Sequence, residues 1–80
     1  MYFVYILECR DGTLYTGITV DTARRVAEHN SPKLGAKYTR GRQPVKLVFA
    51  KEFPDRSSAA KEEARIKKLS RGDKEVLLRV

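Results

Sequence analysis

Tyr2-Phe3-Val4-Tyr5-Ile6-Leu7-Glu8-Cys9, then Arg10-Asp11-Gly12, then Thr13-Leu14-Tyr15-Thr16-Gly17-Ile18-Thr19 is the stretch that decides the fold. Both flanks are rich in aromatic and β-branched side chains, which suit a pleated, half-buried surface, and the Asp-Gly between them is a turn signal. Two strands and a tight hairpin follow. Loop length sets their register: a two-residue Asp11-Gly12 turn pairs Glu8 with Tyr15, whereas a three-residue loop with Gly12 left-handed pairs Leu7 with Tyr15 and Tyr5 with Gly17. The second pairing is the expectation. It gathers Val4, Ile6, Leu14 and Ile18 on one face and leaves Tyr5, Tyr15 and Gly17 together on the other.

Downstream, Asp21 is a good N-cap, and Ala23, Val26 and Ala27 recur at helical spacing, predicting a short helix to about His29. At about 100° per residue, Arg25 and His29 lie about 40° apart and away from that narrow apolar stripe, so they are expected on the outward face. Asn30 to Pro44 holds two Gly and two Pro and breaks every period. From His29 to Lys51 there is no carboxylate and there are six cations, Lys33, Lys37, Arg40, Arg42, Lys46 and Lys51. This reads as a long basic loop, followed by a strand from Val45 to Lys51 that alternates Val45, Leu47 and Phe49 against Lys46, Val48 and Ala50. Ser57 or Ser58 can cap a second helix through about Leu69, and Ser70 with Asp73 resembles a capping box for a third, carrying Val76, Leu77 and Val80. The expected class is α+β, in the order β-β-α-β-α-α, with a small, mostly antiparallel three-stranded sheet flanked by helices.

The 80 residues suit one domain, 1–80, burying roughly 60–65% of the surface of its unfolded chain. A lone Cys9 excludes an internal disulfide framework, and no Cys/His cluster has zinc-ligand spacing, so a reducing, cytoplasmic setting is expected. The apolar run Tyr2 to Leu7 is far short of a membrane span and lacks the marks of a signal peptide. Seventeen Lys and Arg against ten Asp and Glu give a net charge of +7, which points to a polyanion, nucleic acid before membrane. No phosphate-binding glycine loop, G-x-S-x-G elbow or H-E-x-x-H is present. What remains is two tyrosines on a sheet face, an Arg and the single His on a helix, and the carboxylate pair Glu62 and Glu63. Phosphodiester cleavage can use such parts: a base for water, a carboxylate for a divalent cation and a guanidinium for the phosphate.

Phe3-Val4-Tyr5-Ile6-Leu7, then Tyr15-Thr16-Gly17, Arg24-Arg25 and Glu28-His29-Asn30 resemble the opening of the GIY-YIG nuclease superfamily. Gly35-Ala36-Lys37-Tyr38-Thr39-Arg40-Gly41-Arg42 and Glu63-Ala64-Arg65-Ile66-Lys67-Lys68-Leu69 are similar to its small stand-alone bacterial members. The resemblance spans essentially the whole chain and implies a three-stranded antiparallel sheet between helices and a single-metal hydrolytic site. It implies that Tyr15 is the favoured general base with Tyr5 beside it, that Arg25 contacts the scissile phosphate, and that His29 matches a histidine some members place in the site. A free phenol has a pKa near 10, so such a base needs help from the metal or a neighbouring cation. By resemblance Glu63 holds the metal, one Mg²⁺ or Mn²⁺ ion, although periodicity from Ala59, Ile66 and Leu69 places Glu62 nearer the apolar stripe. Phe3 stands where the first motif has glycine, Thr16 is the second motif's middle residue, and the late asparagine of some nuclease branches has no counterpart near Lys74.

Lys33, Lys37, Arg40 and Arg42 are candidate phosphate contacts, and Tyr38 among them is either a base-stacking ring or a loop anchor. The leading expectation is a metal-dependent endonuclease on nucleic acid, DNA first, selective for structure rather than sequence, with repair or recombination suggested by relatives. No small-molecule cofactor is expected. The rivals are an inactive nucleic-acid-binding module and a small adaptor for an acidic protein.

Overall fold

The computed structural model describes residues 1–31 and 33–78, and Val80 lies outside them. Strand β1 (Tyr2–Glu8) pairs antiparallel with β2 (Leu14–Thr19) in the expected register, Leu7 opposite Tyr15 and Tyr5 opposite Gly17. Gly12 takes φ +84°, the left-handed conformation that needs no Cβ, and Cys9 N–H donates to Thr13 O at 2.8 Å to close the loop. Strand β3 (Lys46–Phe53) pairs antiparallel with the other edge of β1, giving the order β2-β1-β3.

The alternation expected along β3 is interrupted. Leu7 faces Leu47 while Ile6 faces Phe49, so Val48 is an extra residue at a bulge. The bulge resets the side-chain parity: Val45 packs on the Tyr5 face, whereas Val48, Phe49 and Phe53 pack on the opposite one. The strand also begins one residue later than expected and runs two further.

Helix α1 (Thr22–His29) is capped by Asp21, whose carboxylate accepts from Arg24 N–H. Its inward face is shifted from expectation, although Val26 packs on the core as expected. Ala23 and Ala27 are exposed, Val26 and Arg25 are half-buried, and His29 is fully buried. Methyl groups that small contribute little by burial, and the polar partners of His29 decide which side faces in. The connector read as irregular contains one turn of helix, α2 (Lys37–Arg40).

Helix α3 (Arg56–Lys67) starts earlier than the serines suggested, because Asp55 is the cap and accepts from Ser58 N–H at 2.7 Å. An aspartate following Pro54 meets the free N–H groups first and adds negative charge at the positive helix end. Ala59 and Ile66 bury against Val4 and Ile6, with Leu14, Ile18, Phe49 and Phe53 around them. Truncating Ile66 to Ala costs about 2–5 kcal/mol at such a site. Helix α4 (Arg71–Leu78) has the expected Ser70 cap, accepting from Asp73 N–H at 3.2 Å, and packs Leu77 and Leu78 on this core while Val76 is exposed.

Candidate active site

On the sheet face away from α3's apolar contacts, Tyr5, Leu7, Cys9 and Val45 form a second buried cluster, joined by Tyr15 and Val26. Tyr5 is only 1% exposed. Its phenol lies across β2 at Gly17, where a Cβ would stand 2.5 Å from Tyr5 Oη. Hence any larger residue at position 17 displaces the ring.

His29 ends α1 directly beside that phenol. Tyr5 Oη and His29 Nε2 are 2.9 Å apart, and His29 Nδ1 is 2.8 Å from Thr39 Oγ1, all of it buried. Desolvation holds the imidazole pKa below its ordinary value, and the charge of Arg25 acts in the same direction against Glu28. His29 is therefore held toward its neutral form near pH 7. Burial pushes the Tyr5 pKa up, Arg25 beside the phenol pulls it down, and Tyr15 and Glu63 add to the upward push. Arg25 is half-buried, and its Nη1 donates to Glu28 Oε1 at 2.8 Å.

Tyr15 is partly exposed, with its ring centroid 5.1 Å from that of His29 and 6.5 Å from that of Tyr5. Tyr38 from α2 stacks on Tyr15 at 5.8 Å, and the Arg42 guanidinium lies 4.1 Å over the Tyr38 ring. Arg42 Nε donates to Asp11 Oδ2 at 3.0 Å, and its Nη1 donates to Tyr38 O at 2.8 Å. Tyr38 thus anchors the loop by covering Tyr15, and Arg42 is tied to the hairpin turn. By contrast Lys33, Lys37 and Arg40 are exposed and make no ion pair among the described residues.

The two helix carboxylates sit on opposite sides of the Ala59–Ile66 stripe. At about 100° per residue, each is about 50° from the stripe's centre. Glu62 is held by Arg65 through two bonds of 2.8 and 2.7 Å and feels Lys51 of β3, the remote sheet edge. Glu63 instead feels Tyr5, and its side chain is 23% exposed in a contact of 3.1 Å with Lys67. A half-exposed ion pair of this kind is weak and easily exchanged. Glu63 shares its helix edge with Arg56, which lines an open groove of about 310 Å³ together with Tyr2, Ile18, Arg24, Arg25 and Glu28.

A divalent cation fits this donor set in one way. Among the described residues no three His, Cys, Asp or Glu side chains cluster. Mg²⁺ and Mn²⁺ accept one hard carboxylate plus waters and substrate oxygens, and Glu63, partly exposed and in a weak pair with Lys67, offers that.

The structure brings Tyr5, Tyr15, Arg25 and His29 together and places Glu63 within electrostatic reach. Neither Thr39 nor Arg56 was given a site role from sequence, and Gly17 was placed beside Tyr5 and Tyr15 without one. Only Gly17 had a signal there, through its pairing with Tyr5 across the hairpin; a threonine in a basic loop and an arginine opening a helix have none.

A family profile described as the GIY-YIG catalytic domain matches residues 1–75. The UPF0213 protein of Halobacterium salinarum is 57% identical over 77 residues, covering 96% of this chain and 99% of that protein. That of Desulfotalea psychrophila is 55% identical over 78 residues, covering 98% of this chain and 71% of its own length. The solution NMR structure of a UPF0213 protein from Bacillus halodurans is similar at 52% identity and TM-score 0.63, over 98% of this chain and 83% of that one. An NMR structure of an E. faecalis protein is similar at 45% identity and TM-score 0.65, over 98% and 82% respectively.

Proposed function

Because the chain belongs to the GIY-YIG nuclease superfamily, among its small UPF0213 members, we propose that it is a divalent-metal-dependent endonuclease that hydrolyses nucleic-acid phosphodiester bonds. The observation that carries this reading is the buried 2.9 Å contact between Tyr5 and a neutral His29, placed beside Arg25 and Tyr15. Binding alone does not require a phenol with a buried proton acceptor behind it.

In the proposed reaction the oxygen of water forms the new bond to phosphorus as the bridging P–O bond breaks, and the departing sugar oxygen takes a proton from solvent. Tyr15, the more accessible phenol, faces the water. The proton that water loses is taken at the tyrosine pair, with Tyr5 passing its own to His29 Nε2, so no free phenolate need persist at neutral pH. Arg25 meets the phosphate as negative charge builds on its oxygens. Glu63 would hold the Mg²⁺ or Mn²⁺ ion, which when bound neutralises phosphate charge and makes water a better nucleophile.

Two basic tracts flank this centre: Arg24 and Arg56 along the groove, and Lys33, Lys37 and Arg40 on the connector. Such contacts give affinity without sequence information, which favours DNA read by shape, as in repair or recombination intermediates. The test is a cleavage screen of single-stranded, duplex, flapped and branched DNA and of RNA, with Mg²⁺, Mn²⁺ or EDTA, beside Glu63→Gln. Metal-dependent cutting that is lost in Glu63→Gln, with binding kept within a few-fold, is expected. Binding to every substrate without cutting any would leave a nucleic-acid-binding module instead.

A further inference from the structure

A neutral imidazole carries one proton for two nitrogens, so each neighbour of His29 constrains the other. Tyr5 is 1% exposed, and Arg25, the cation beside its phenol, can only donate. Among the described residues, His29 Nε2 at 2.9 Å is the acceptor within reach of the phenolic proton. Nε2 therefore bears the lone pair and Nδ1 bears the proton.

That proton points at Thr39 Oγ1, 2.8 Å away and 0% exposed. An oxygen that accepts from His29 must send its own proton elsewhere, and Thr39 Oγ1 donates to Ala36 O at 2.9 Å. The resulting chain, Tyr5 O–H to Nε2 and Nδ1–H to Thr39 to Ala36 O, satisfies every proton with bonds of 2.8–2.9 Å. The other tautomer aims Nε2–H and Arg25 together at the Tyr5 oxygen and leaves the phenolic proton without an acceptor. It also turns the Thr39 hydroxyl away from Ala36 O, gaining only the 3.5 Å approach of Ala36 N–H to Nδ1.

We infer that Thr39 is a positioning residue of the site: its buried hydroxyl, presented by α2, fixes His29 as the Nδ1–H tautomer so that the Nε2 lone pair faces Tyr5. The connector reinforces this placement. Gln43 Nε2 donates to His29 O at 2.7 Å, and Gly35 packs so closely that a Cβ there would lie 2.8 Å from His29 Cα. The charged and titratable groups around the ring are Tyr5 from β1, Tyr15 from β2, and Arg25 and Glu28 from α1. None of these is an acceptor bonded to Nδ1, so from that side the 2.8 Å bond of Thr39 sets the tautomer against only the 3.5 Å approach of Ala36 N–H. The catalytic consequence rests on the endonuclease reading; the tautomer does not.

His29 is the single histidine, so a long-range ¹⁵N–¹H correlation spectrum of the whole chain contains one imidazole. Recorded at pH 8, it is expected to show protonated Nδ1 and unprotonated Nε2 in the wild type and in Thr39→Ser. In Thr39→Val the pattern is expected to move toward Nε2–H. Single-turnover cleavage should fall by about 10- to 100-fold in Thr39→Val, with substrate affinity unchanged, and return in Thr39→Ser. A wild-type ring protonated at Nε2, or a Thr39→Val ring still held as Nδ1–H, overturns the inference. The wild-type spectrum tests it even if the valine variant does not fold. The expected spectra with no cleavage of any substrate by the wild type would uphold the positioning role and remove the endonuclease reading.

Discussion

The β1–β2 hairpin and the connector from Asn30 to Val45 each deliver a buried polar group to one point, Tyr5 at 1% exposure and Thr39 at 0%, by different physics. The hairpin is local. A left-handed Gly12 and a period of two fix its register, and everything about Tyr5's direction follows. The connector has almost no internal ladder and takes its shape from side-chain bonds that tie its two ends to each other and to the elements around it. Asn30 exchanges two bonds with Val45, of 3.0 and 2.7 Å, Gln43 Nε2 donates to both His29 O and Ser31 O at 2.7 Å, and Arg42 reaches back to Asp11. A strand pair carries its own instructions, whereas a loop of this kind is folded by what it embraces.

The hairpin side breaks most severely at Gly17. Gly17→Ala places a methyl 2.5 Å from Tyr5 Oη, so the ring must leave His29. We expect a loss of about 1–3 kcal/mol in denaturant unfolding, and cleavage down by more than about 100-fold. Unchanged stability would mean the ring has another resting place.

The connector side breaks next at Gln43. Gln43→Ala removes both donations that tie the loop to the end of α1, and a loss of about 1–2 kcal/mol is expected by thermal or chemical melting. The same change should loosen amide protection around Thr39 more than around Gly12. Equal loosening would make the two regions one cooperative unit.

Acid acts on their junction. Burial keeps the His29 pKa in the fold below its ordinary value near 6.5, so between those values the unfolded chain binds a proton that the folded chain refuses. Stability therefore falls as pH drops below about 6.5, by at most about 1.4 kcal/mol per pH unit, and levels off beneath the folded pKa. Melting temperatures between pH 7.5 and 5 should trace this limb, and His29→Gln should flatten it. The acid limb of cleavage should likewise lie below the usual histidine range.

The smallest effects belong to the connector's outer surface. Lys37→Ala and Arg40→Ala should leave folding intact and each lower the slope of log affinity against log salt by about one unit. Arg42→Ala should do the reverse, costing stability with little change of slope, because its guanidinium is committed to Asp11 and Tyr38.

What could be read in the sequence divides along the same line. Pleat, turn and pairing were legible, and with them the shared face of Tyr5, Tyr15 and Gly17. Two expectations were overturned: Asp55 caps α3 in place of Ser57 or Ser58, and a bulge at Val48 puts Phe49 on the opposite face from Val45. The burial of His29 left no trace in helical periodicity, since its neighbours, Tyr5, Tyr15, Thr39 and Gly35, come from other parts of the chain. Helical periodicity therefore pointed Ala23 and Ala27 inward, where the fold turns them to solvent. Glu62 and Glu63 flank the buried stripe almost symmetrically, so only the identity of their neighbours, Lys51 for one and Tyr5 for the other, separates them.

The central claim is that hairpin and connector make one site through His29. A double-mutant cycle between Tyr5→Phe and Thr39→Val, read in both unfolding free energy and single-turnover cleavage, tests it most directly, because the two side chains meet only through the imidazole. Coupling of at least about 0.5 kcal/mol in stability is expected, with a double mutant that cuts scarcely more slowly than Tyr5→Phe. Strictly additive losses in both measurements would contradict it.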